Sequence, residues 1–324
     1  MNFFRPFNII RIILFIIISI TLGACQNRES NTIRIGVLQG PSAISFAKMM
    51  ENPMVVGGKK VDIIIKNDPQ QIQSLMLKNE LDFAILPTVM AANLYNKNLP
   101  YQMMACPVWG TLYLVSRDKN VQSFGQIAGR EVAVFGQGAT PDILLRNKIE
   151  NEGIDNVVFN YAFNSNNDLA LAILNSKVQL AVLSEPMVSL VLSKDKDVSI
   201  VTAIDCEEYM LNMFKDIFVQ TAFLVNTNFA NNHPLILKEI NEQYIRSCNF
   251  INEEPTLAAE LVVKLGLLPD IDIAAKSLPL CNIRYVSAFA IERELSLYLN
   301  IFLKQNPETI GGKIPDKGFV FKNF

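Results

Sequence analysis

Apolar and polar residues alternate along the chain in two successive series of predicted strands and helices. Short runs rich in Val, Ile and Leu are typical of buried strands, and segments with helical spacing follow them. The first series spans residues 33–95 and the second spans residues 131–203. This β-α-β-α order predicts an α/β protein built on mostly parallel sheets with helices on both faces.

Two segments of extended character, 111–116 and 218–225, flank the second series. We therefore predict an inserted lobe, residues 117–221, within a discontinuous first lobe, residues 32–116 plus 222–324. The two extended segments would be the hinge crossovers. A single large sheet is the alternative, but chains of this length usually divide into separate cores.

Charge and hydropathy argue against nucleic-acid binding and against a membrane-spanning protein. The 324 residues carry 29 Lys and Arg against 31 Asp and Glu, and the formal net charge is −2. No basic block of the kind that binds nucleic acid is present. No second long apolar run follows the N-terminal one, so no transmembrane helix is predicted. We expect a monomer with no nucleic-acid partner.

The N-terminus has the residue order of an export signal. Arg5 and Arg11 supply positive charge, and residues 12–20 form an apolar run too short to span a bilayer comfortably. Small residues follow this run at once. We predict that residues 1–24 are a signal peptide and that the mature protein lies outside the cytoplasm.

Residues 22–25, Leu-Gly-Ala-Cys, resemble the bacterial lipobox. The resemblance implies that the Cys25 thiol receives diacylglycerol and that Cys25 becomes an acylated N-terminus. Buried acyl chains then anchor the protein to the membrane, and the short polar segment 25–31 is a tether. An ordinary secretory peptide with an unmodified cysteine is the alternative.

The other cysteines form no local metal or redox motif, because they are widely separated in sequence. An exported protein has access to an oxidising compartment, where disulfides form. Each of these cysteines lies among apolar or strand-like neighbours, where a free cysteine packs as a small hydrophobe. We predict no disulfide, no metal site and no cofactor for Cys106, Cys206, Cys248 and Cys281 or their surroundings.

In open α/β sheets, ligands bind beyond the carboxyl ends of the strands. Applied to the predicted strands, this rule selects five short loops, three in the first lobe and two in the inserted lobe. We expect these loops to face each other across a cleft. The candidate ligand-binding residues are Gln39, Gly40, Ser42, Pro87, Thr88, Trp109, Gly110, Gly136, Gln137, Gly138, Ala139, Thr140, Ser184 and Glu185.

The loop 136–140, Gly-Gln-Gly-Ala-Thr, has a specific physical interpretation. Glycines let a backbone approach a ligand closely, and a helix starting near Thr140 offers unpaired N–H groups. A capped connection, with Thr140 as the N-cap and Pro141 at the first helical position, is the compatible structural alternative. The glycine spacing fits neither a dinucleotide fingerprint nor a P-loop.

Two further candidates have competing interpretations. The carboxylate of Glu185 could accept hydrogen bonds from a ligand amine or ring N–H, or it could be an acid at a helix start. Trp109 could stack on a planar ligand or belong to the core. The selected loops contain no Lys or Arg. This absence favours a neutral, zwitterionic or nitrogen-containing planar solute over a bare inorganic anion.

Six motifs in order make the chain resemble the nitrate/sulfonate/taurine-type solute-binding proteins of ABC importers, in a lipoprotein branch. The resemblance covers residues 32–324. It implies a two-lobed type II periplasmic-binding-protein fold that closes over a small solute and delivers it to an ABC permease. It does not identify the solute. The motifs lie at residues 40–51, 80–87, 136–141, 184–186, 280–283 and 311–315.

Two other function classes compete with solute transport. The same fold occurs in a pyrimidine synthase and in menaquinone-pathway enzymes. The sequence has one histidine, and it shows no nucleophile with a base at a recognisable spacing and no Cys/His metal cluster. We therefore predict a binding protein rather than an enzyme. A surface lipoprotein that acts as a sensor, or that binds a protein partner, is the other alternative.

Overall fold

A computed structural model describes residues 31–205 and 218–322 of the chain. The predicted signal peptide, Cys25 and the tether up to residue 30 lie outside the described residues, as does Cys206. The predictions about these residues therefore stay predictions.

The first sheet has seven strands in the order β12-β5-β11-β4-β1-β3-β2. Strand β1 pairs in parallel with β3 and β4, whereas β11 runs antiparallel between β4 and β5. The strands are β1 Thr32–Leu38, β2 Val55–Val56, β3 Lys59–Lys66, β4 Phe83–Pro87, β5 Tyr101–Val108, β11 Thr221–Asn226 and β12 Ile283–Ser287.

The second sheet has five strands in the order β10-β6-β9-β7-β8. Strand β7 is parallel to β8 and β9, and β6 is antiparallel to β9 and β10. The strands are β6 Leu112–Ser116, β7 Glu131–Val134, β8 Val158–Asn160, β9 Leu180–Ser184 and β10 Ser199–Ala203.

The predicted α/β architecture with two sheet-based lobes is confirmed. The sheets are mixed rather than mostly parallel, which corrects the sequence-based expectation. The reason lies in the strands next to the crossovers. Strands β6 and β11 each enter a sheet from the other lobe, and both run antiparallel to their neighbours.

Residue 116, the predicted end of the first lobe, lies within a strand of the second sheet. Residues Leu112–Ser116 form β6, which pairs along its whole length with β9 of the second sheet, Leu112 opposite Ser184. All five of these residues are buried, and the segment is a strand of the second sheet. The first crossover is therefore at residues 109–111, and the return crossover lies between Asp205 and Thr221.

Twelve helices cover the two sheets in the described part of the chain. Helix α3 begins as predicted, because Asp68 Oδ1 accepts the N–H of Gln70 at 2.8 Å and Pro69 occupies the first turn. The helices are α1 Pro41–Ile44, α2 Ala47–Met50, α3 Pro69–Leu77, α4 Thr88–Asn96, α5 Thr140–Glu152, α6 Asn166–Leu174, α7 Met187–Lys194, α8 Thr227–Asn232, α9 Pro234–Glu253, α10 Pro255–Lys264, α11 Ile271–Leu280 and α12 Glu292–Gln305.

One apolar cluster continues through both lobes. It includes Leu86 and Met103 of the first sheet, Val132 of the second sheet, and Tyr298 and Phe302 of α12. Helix α12 also contacts α5, so the C-terminal part of the chain packs against the inserted lobe. The contact holds the two lobes together around their crossovers. None of the helices in the described ranges is long and apolar enough to cross a membrane.

Candidate functional site

The loop after β1 touches the end of β9 across the two lobes. Gly40 is buried, and its φ of +97° is a conformation that favours glycine. A Cβ atom at this position would lie 3.7 Å from Cδ of Pro186. The neighbouring Ser42 is also buried, whereas Gln39 is exposed and its Nε2 donates to the carbonyl of Leu267 at 3.5 Å. Two of the predicted loops are therefore adjacent in space.

The loop after β4 lies beside the crossovers. Pro87 ends the strand and Thr88 begins α4. The N–H of Thr88 donates to the carbonyl of Gln220 at 3.0 Å, and the side-chain Oε1 of Gln220 accepts the hydroxyl of Thr111 at 2.9 Å. Thr88 is fully buried, and its own hydroxyl has no hydrogen-bond partner among residues 31–205 and 218–322.

Trp109 belongs to the apolar core at the first crossover. Only 5% of its surface is exposed, and its Nε1 donates to the carbonyl of Arg284 at 2.9 Å. The guanidinium of Arg284 lies 4.7 Å from the ring centroid, a cation–π contact. The indole N–H and the Trp109 ring thus both have contacts with Arg284 of the protein itself. Of the two interpretations offered by the sequence, the core role fits this environment.

Gly110 and Asp205 hold the two crossovers against each other. A Cβ atom on Gly110 would lie 2.0 Å from the carbonyl oxygen of Asp205, so only glycine fits there. The Asp205 carboxylate accepts the backbone N–H groups of Thr111 at 3.0 Å and Leu112 at 2.7 Å. The crossover segments therefore run side by side through direct backbone contacts.

The glycine loop after β7 is already occupied by an acidic side chain of the protein. Gly136 and Gly138 have φ values of +69° and +73°, as a tight turn requires. The N-cap of α5 is Ala139, and Thr140 is the first helical residue, so the helix begins one position earlier than predicted. Gln137 and Ala139 are exposed, whereas the N–H of Gly138 donates to Asp142 Oδ2 at 2.9 Å.

Asp142 is the centre of a polar network that the sequence did not reveal. Its side chain is buried, and Oδ1 accepts Arg146 Nε at 2.8 Å and the hydroxyl of Tyr161 at 2.7 Å. The Arg146 guanidinium lies 4.0 Å over the ring of Phe159. The sequence indicated this network only by the position of Asp142, an acid in the first turn of a predicted helix. An anionic ligand at this loop would lie close to the Asp142 carboxylate, which already accepts the N–H of Gly138.

The end of β9 carries the other predicted polar pair. Ser184 Oγ accepts Asn166 Nδ2 at 2.9 Å, and its N–H donates to Asn166 Oδ1 at 3.1 Å. Glu185 is 1% exposed, and its Oε1 accepts the hydroxyl of Ser189 at 2.9 Å while Oε2 accepts the hydroxyl of Ser277 at 3.0 Å. Burial raises the pKa of Glu185 to about 7, although the serine hydrogen bonds act in the opposite direction.

The Glu185 carboxylate therefore lies between lobes rather than open to a cleft. Ser189 is on α7 of the inserted lobe, and Ser277 is on α11, which precedes the last strand of the first sheet. Each carboxylate oxygen already accepts a hydroxyl of the protein. A ligand amine would have to displace one of these serines in order to use Glu185.

The chemical groups near the crossovers are hydroxyls, amides, buried carboxylates and the guanidinium of Arg284. Within the described residues, no three His, Cys, Asp or Glu side chains are close enough to hold a metal ion. The three cysteines that the structure describes, Cys106, Cys248 and Cys281, are unpaired and buried, and burial raises the pKa of each thiol. The remaining polar groups can donate and accept hydrogen bonds.

Comparisons with known proteins agree on the family and the fold. A family model described as NMT1/THI5 like matches residues 57–258. A crystal structure of an ABC transporter from Parabacteroides distasonis is 31% identical, with a TM-score of 0.79, and the match covers 91% of this chain and 100% of that chain. No curated protein sequence matches the chain.

Two more distant structures share the fold. The periplasmic aliphatic sulphonate binding protein SsuA from Escherichia coli is 13% identical with a TM-score of 0.68, and the match covers 91% of this chain and 94% of that one. The periplasmic nitrate-binding protein NrtA from Synechocystis PCC 6803 is 13% identical with a TM-score of 0.63, and the match covers 87% of this chain and 84% of that one. The predicted resemblance is confirmed: the chain belongs to the NMT1/THI5-like family and has the two-lobed fold of periplasmic binding proteins.

Proposed function

We propose that the protein is an exported solute-binding lipoprotein that captures a small organic solute between its two lobes and delivers it to an ABC permease. One observation carries this proposal. Strand-end loops of the two lobes approach each other closely at Gly40 and Pro186, where a Cβ atom on the glycine would lie 3.7 Å from Cδ of the proline. A cleft that opens and closes at these loops would trap a solute there.

The chemistry of the loops supports a solute without strong negative charge. Asp142 and Glu185 are both buried at strand-end loops of the inserted lobe. None of the fourteen candidate residues is Lys or Arg. The candidate groups on the first lobe are hydroxyls and backbone amides, such as those of Ser42 and Thr88. Such groups are suited to a neutral, zwitterionic or nitrogen-containing planar solute.

The related proteins support the transport role without naming the solute. The relative at 31% identity is described as an ABC transporter. The sulphonate- and nitrate-binding proteins take different solutes and are both 13% identical to this chain. We therefore propose the transport class for this chain. We infer neither sulphonate nor nitrate as its ligand. The order of residues 1–25 supports export and attachment through Cys25.

An enzyme of the same fold is the main alternative. His233, the single histidine of the sequence, lies just before α9, with its ring 4.9 Å from that of Phe229. It is not one of the strand-end residues. The described thiols are buried with raised pKa values. These placements favour binding over acid–base or nucleophilic catalysis.

The test is solute binding by the purified protein beginning at residue 25. A thermal-shift screen of small solutes should find stabilising members, since a ligand at 100 times its Kd adds about 2.7 kcal/mol to the unfolding free energy. Small-angle scattering should then show a more compact particle with the solute bound. Chemical conversion of the bound solute, followed by mass spectrometry, would instead indicate an enzyme. Binding without compaction would argue against a hinge-closing transport protein.

A further inference from the structure

Two side-chain hydroxyls are buried without a hydrogen-bond partner in the described part of the chain. They are Oγ1 of Thr88 and the phenol oxygen of Tyr298, and both residues are 0% exposed. Other buried tyrosines of this protein are satisfied. Tyr101 donates to the carbonyl of Leu81 at 2.6 Å, and Tyr244 shares a hydrogen bond of 2.8 Å with Ser45. Buried hydroxyls are normally paired, so the two exceptions require an explanation.

Each unpaired hydroxyl lies at the N-terminus of a helix, and the two helices belong to different lobes. Thr88 is the first residue of α4 in the first lobe. The Tyr298 hydroxyl lies beside Thr140, the first residue of α5 in the inserted lobe, without a hydrogen bond of good geometry to it. Helix N-termini carry backbone N–H groups without intrahelical acceptors and a partial positive charge.

Both residues, Thr88 and Tyr298, contact the crossover segments. Thr88 is bonded through its N–H to the carbonyl of Gln220 on the return crossover. Tyr298 packs edge-to-face against Phe218 at 6.4 Å, and it lies close enough to Asp205 for that carboxylate to add to the effect of burial in raising the pKa of the phenol. Gln220 and Asp205 both bond to Thr111 of the first crossover. Thr88 and Tyr298 therefore both lie beside the crossover segments.

We propose that the hydroxyls of Thr88 and Tyr298 bind the solute, and that the solute is an uncharged molecule with hydrogen-bond acceptors, such as the carbonyl oxygens or ring nitrogens of a heterocycle. This assignment rests on the proposed solute-binding function. Both helix ends present N–H donors, and each hydroxyl can donate as well as accept, so a solute that carries acceptors can satisfy all of these groups. Closure without a solute leaves these donors unsatisfied, whereas closure around acceptors satisfies them.

The neighbouring acids set the charge of the solute. Asp142 already accepts the N–H of Gly138 next to α5, and Asp205 already accepts the N–H groups of Thr111 and Leu112. A negatively charged solute near Tyr298 would be repelled by the Asp205 carboxylate, whereas the charge of Asp142 is paired with Arg146 at 2.8 Å. Carbonyl oxygens and ring nitrogens accept the same hydrogen bonds without that repulsion.

The first experiment uses the ligand-free protein and does not require a known solute. Tyr298→Phe and Thr88→Val remove the unpaired hydroxyls and keep the side-chain shape. We expect their Tm values to equal or exceed that of the wild type. The matched controls are Tyr101→Phe and Thr221→Val, since Thr221 Oγ1 accepts the N–H of Val108 at 3.2 Å. Both controls should lower Tm. An equal decrease in Tm for Tyr298→Phe and Tyr101→Phe would mean that the Tyr298 hydroxyl has a hydrogen-bond partner in the protein, which overturns the proposal.

The second experiment measures binding of uracil, cytosine and nicotinamide against nitrate and ethanesulfonate by calorimetry. We expect a neutral heterocycle to bind the wild type, and each of Tyr298→Phe and Thr88→Val to weaken its Kd by about tenfold, the scale of one hydrogen bond. Equal affinity in wild type and variants, or binding of the anions alone, overturns this inference but leaves solute binding intact. If no probe of either set binds the wild type, the proposed function itself fails and this assignment fails with it.

Discussion

Glu185 and Ser277 form a hydrogen bond of 3.0 Å between the inserted lobe and the helix that leads back into the first sheet. Both side chains are buried, at 1% and 0% exposure. The bond therefore links the two lobes away from water. Burial raises the pKa of this acceptor carboxyl to about 7, so its charge changes within the physiological pH range.

The first prediction concerns pH. Burial raises the pKa of Glu185 from 4.5 to about 7 in the folded protein, so the folded state binds this proton more tightly than the unfolded state. The unfolding free energy must then fall as pH rises between about pH 4.5 and about pH 7. The shift corresponds to a loss of up to ~3 kcal/mol. Urea denaturation from pH 5 to pH 8 should show this fall in the wild type, and Glu185→Gln should remove most of it. Parallel pH profiles for the two proteins would mean that Glu185 titrates normally.

The second prediction separates the two serines that bond to Glu185. Ser277→Ala and Ser189→Ala each remove one hydroxyl donor from a buried carboxylate, and each should lower the unfolding free energy by about 1–3 kcal/mol. Only Ser277 connects the lobes. Small-angle scattering of the ligand-free protein should therefore show a more open particle for Ser277→Ala and an unchanged one for Ser189→Ala. The same radius of gyration in both variants would contradict a role for this bond in lobe closure.

The third prediction concerns the glycine loop. Asp142→Asn removes the charge that holds the N–H of Gly138, Arg146 and Tyr161. Charged hydrogen bonds of this kind contribute about 1.5–3 kcal/mol each, so the loop should open more often. Hydrogen exchange should become faster at Gly138. Asp168→Asn is the control, because Asp168 occupies the first turn of α6 but is exposed. Comparable changes in exchange for both variants would show that Asp142 has no special role.

The positions of the site loops could be predicted because they follow local rules. Strand ends, the Asp68 cap and the glycine turn at Gly136 and Gly138 depend on near neighbours in sequence. The Ser277 contact could not be predicted in this way. Ser277 lies 92 positions after Glu185, and it reaches the carboxylate only because α11 packs on α7.

Strand β6 shows a second limit of the sequence analysis. Its run of five buried residues, Leu112–Ser116, is correctly predicted to be extended. Which sheet it joins is decided by its pairing with β9, a non-local contact. Periodicity predicts that a strand exists and which residues are buried, but it does not identify the partner strand. The unpaired hydroxyl of Tyr298 was missed for the same reason, since no local pattern distinguishes it from a core tyrosine.

The fourth prediction tests the anchor. If Cys25 is lipidated, the mature protein should partition with membranes, and its N-terminal peptide should begin at Cys25 and carry acyl chains by mass spectrometry. Cys25→Ala should release the protein from membranes or block removal of the signal peptide. Cys106→Ala is the matched control, since Cys106 is buried in the folded domain and should not affect partitioning. An unmodified N-terminus at another residue would contradict the lipoprotein assignment.

The last prediction concerns the contact between the crossovers. A Cβ atom on Gly110 would lie 2.0 Å from the backbone oxygen of Asp205, which cannot move without pulling its carboxylate away from Thr111 and Leu112. Gly110→Ala should therefore lower the unfolding free energy by at least about 1–3 kcal/mol, the usual cost of overpacking. It should also change the hinge, so scattering should show an altered distribution between open and closed particles. Gly125→Ala is the control, because a Cβ atom there has no neighbour within 4 Å and its backbone is not in the left-handed region. A Gly110 variant as stable as the Gly125 variant would mean that the two crossovers are farther apart than described.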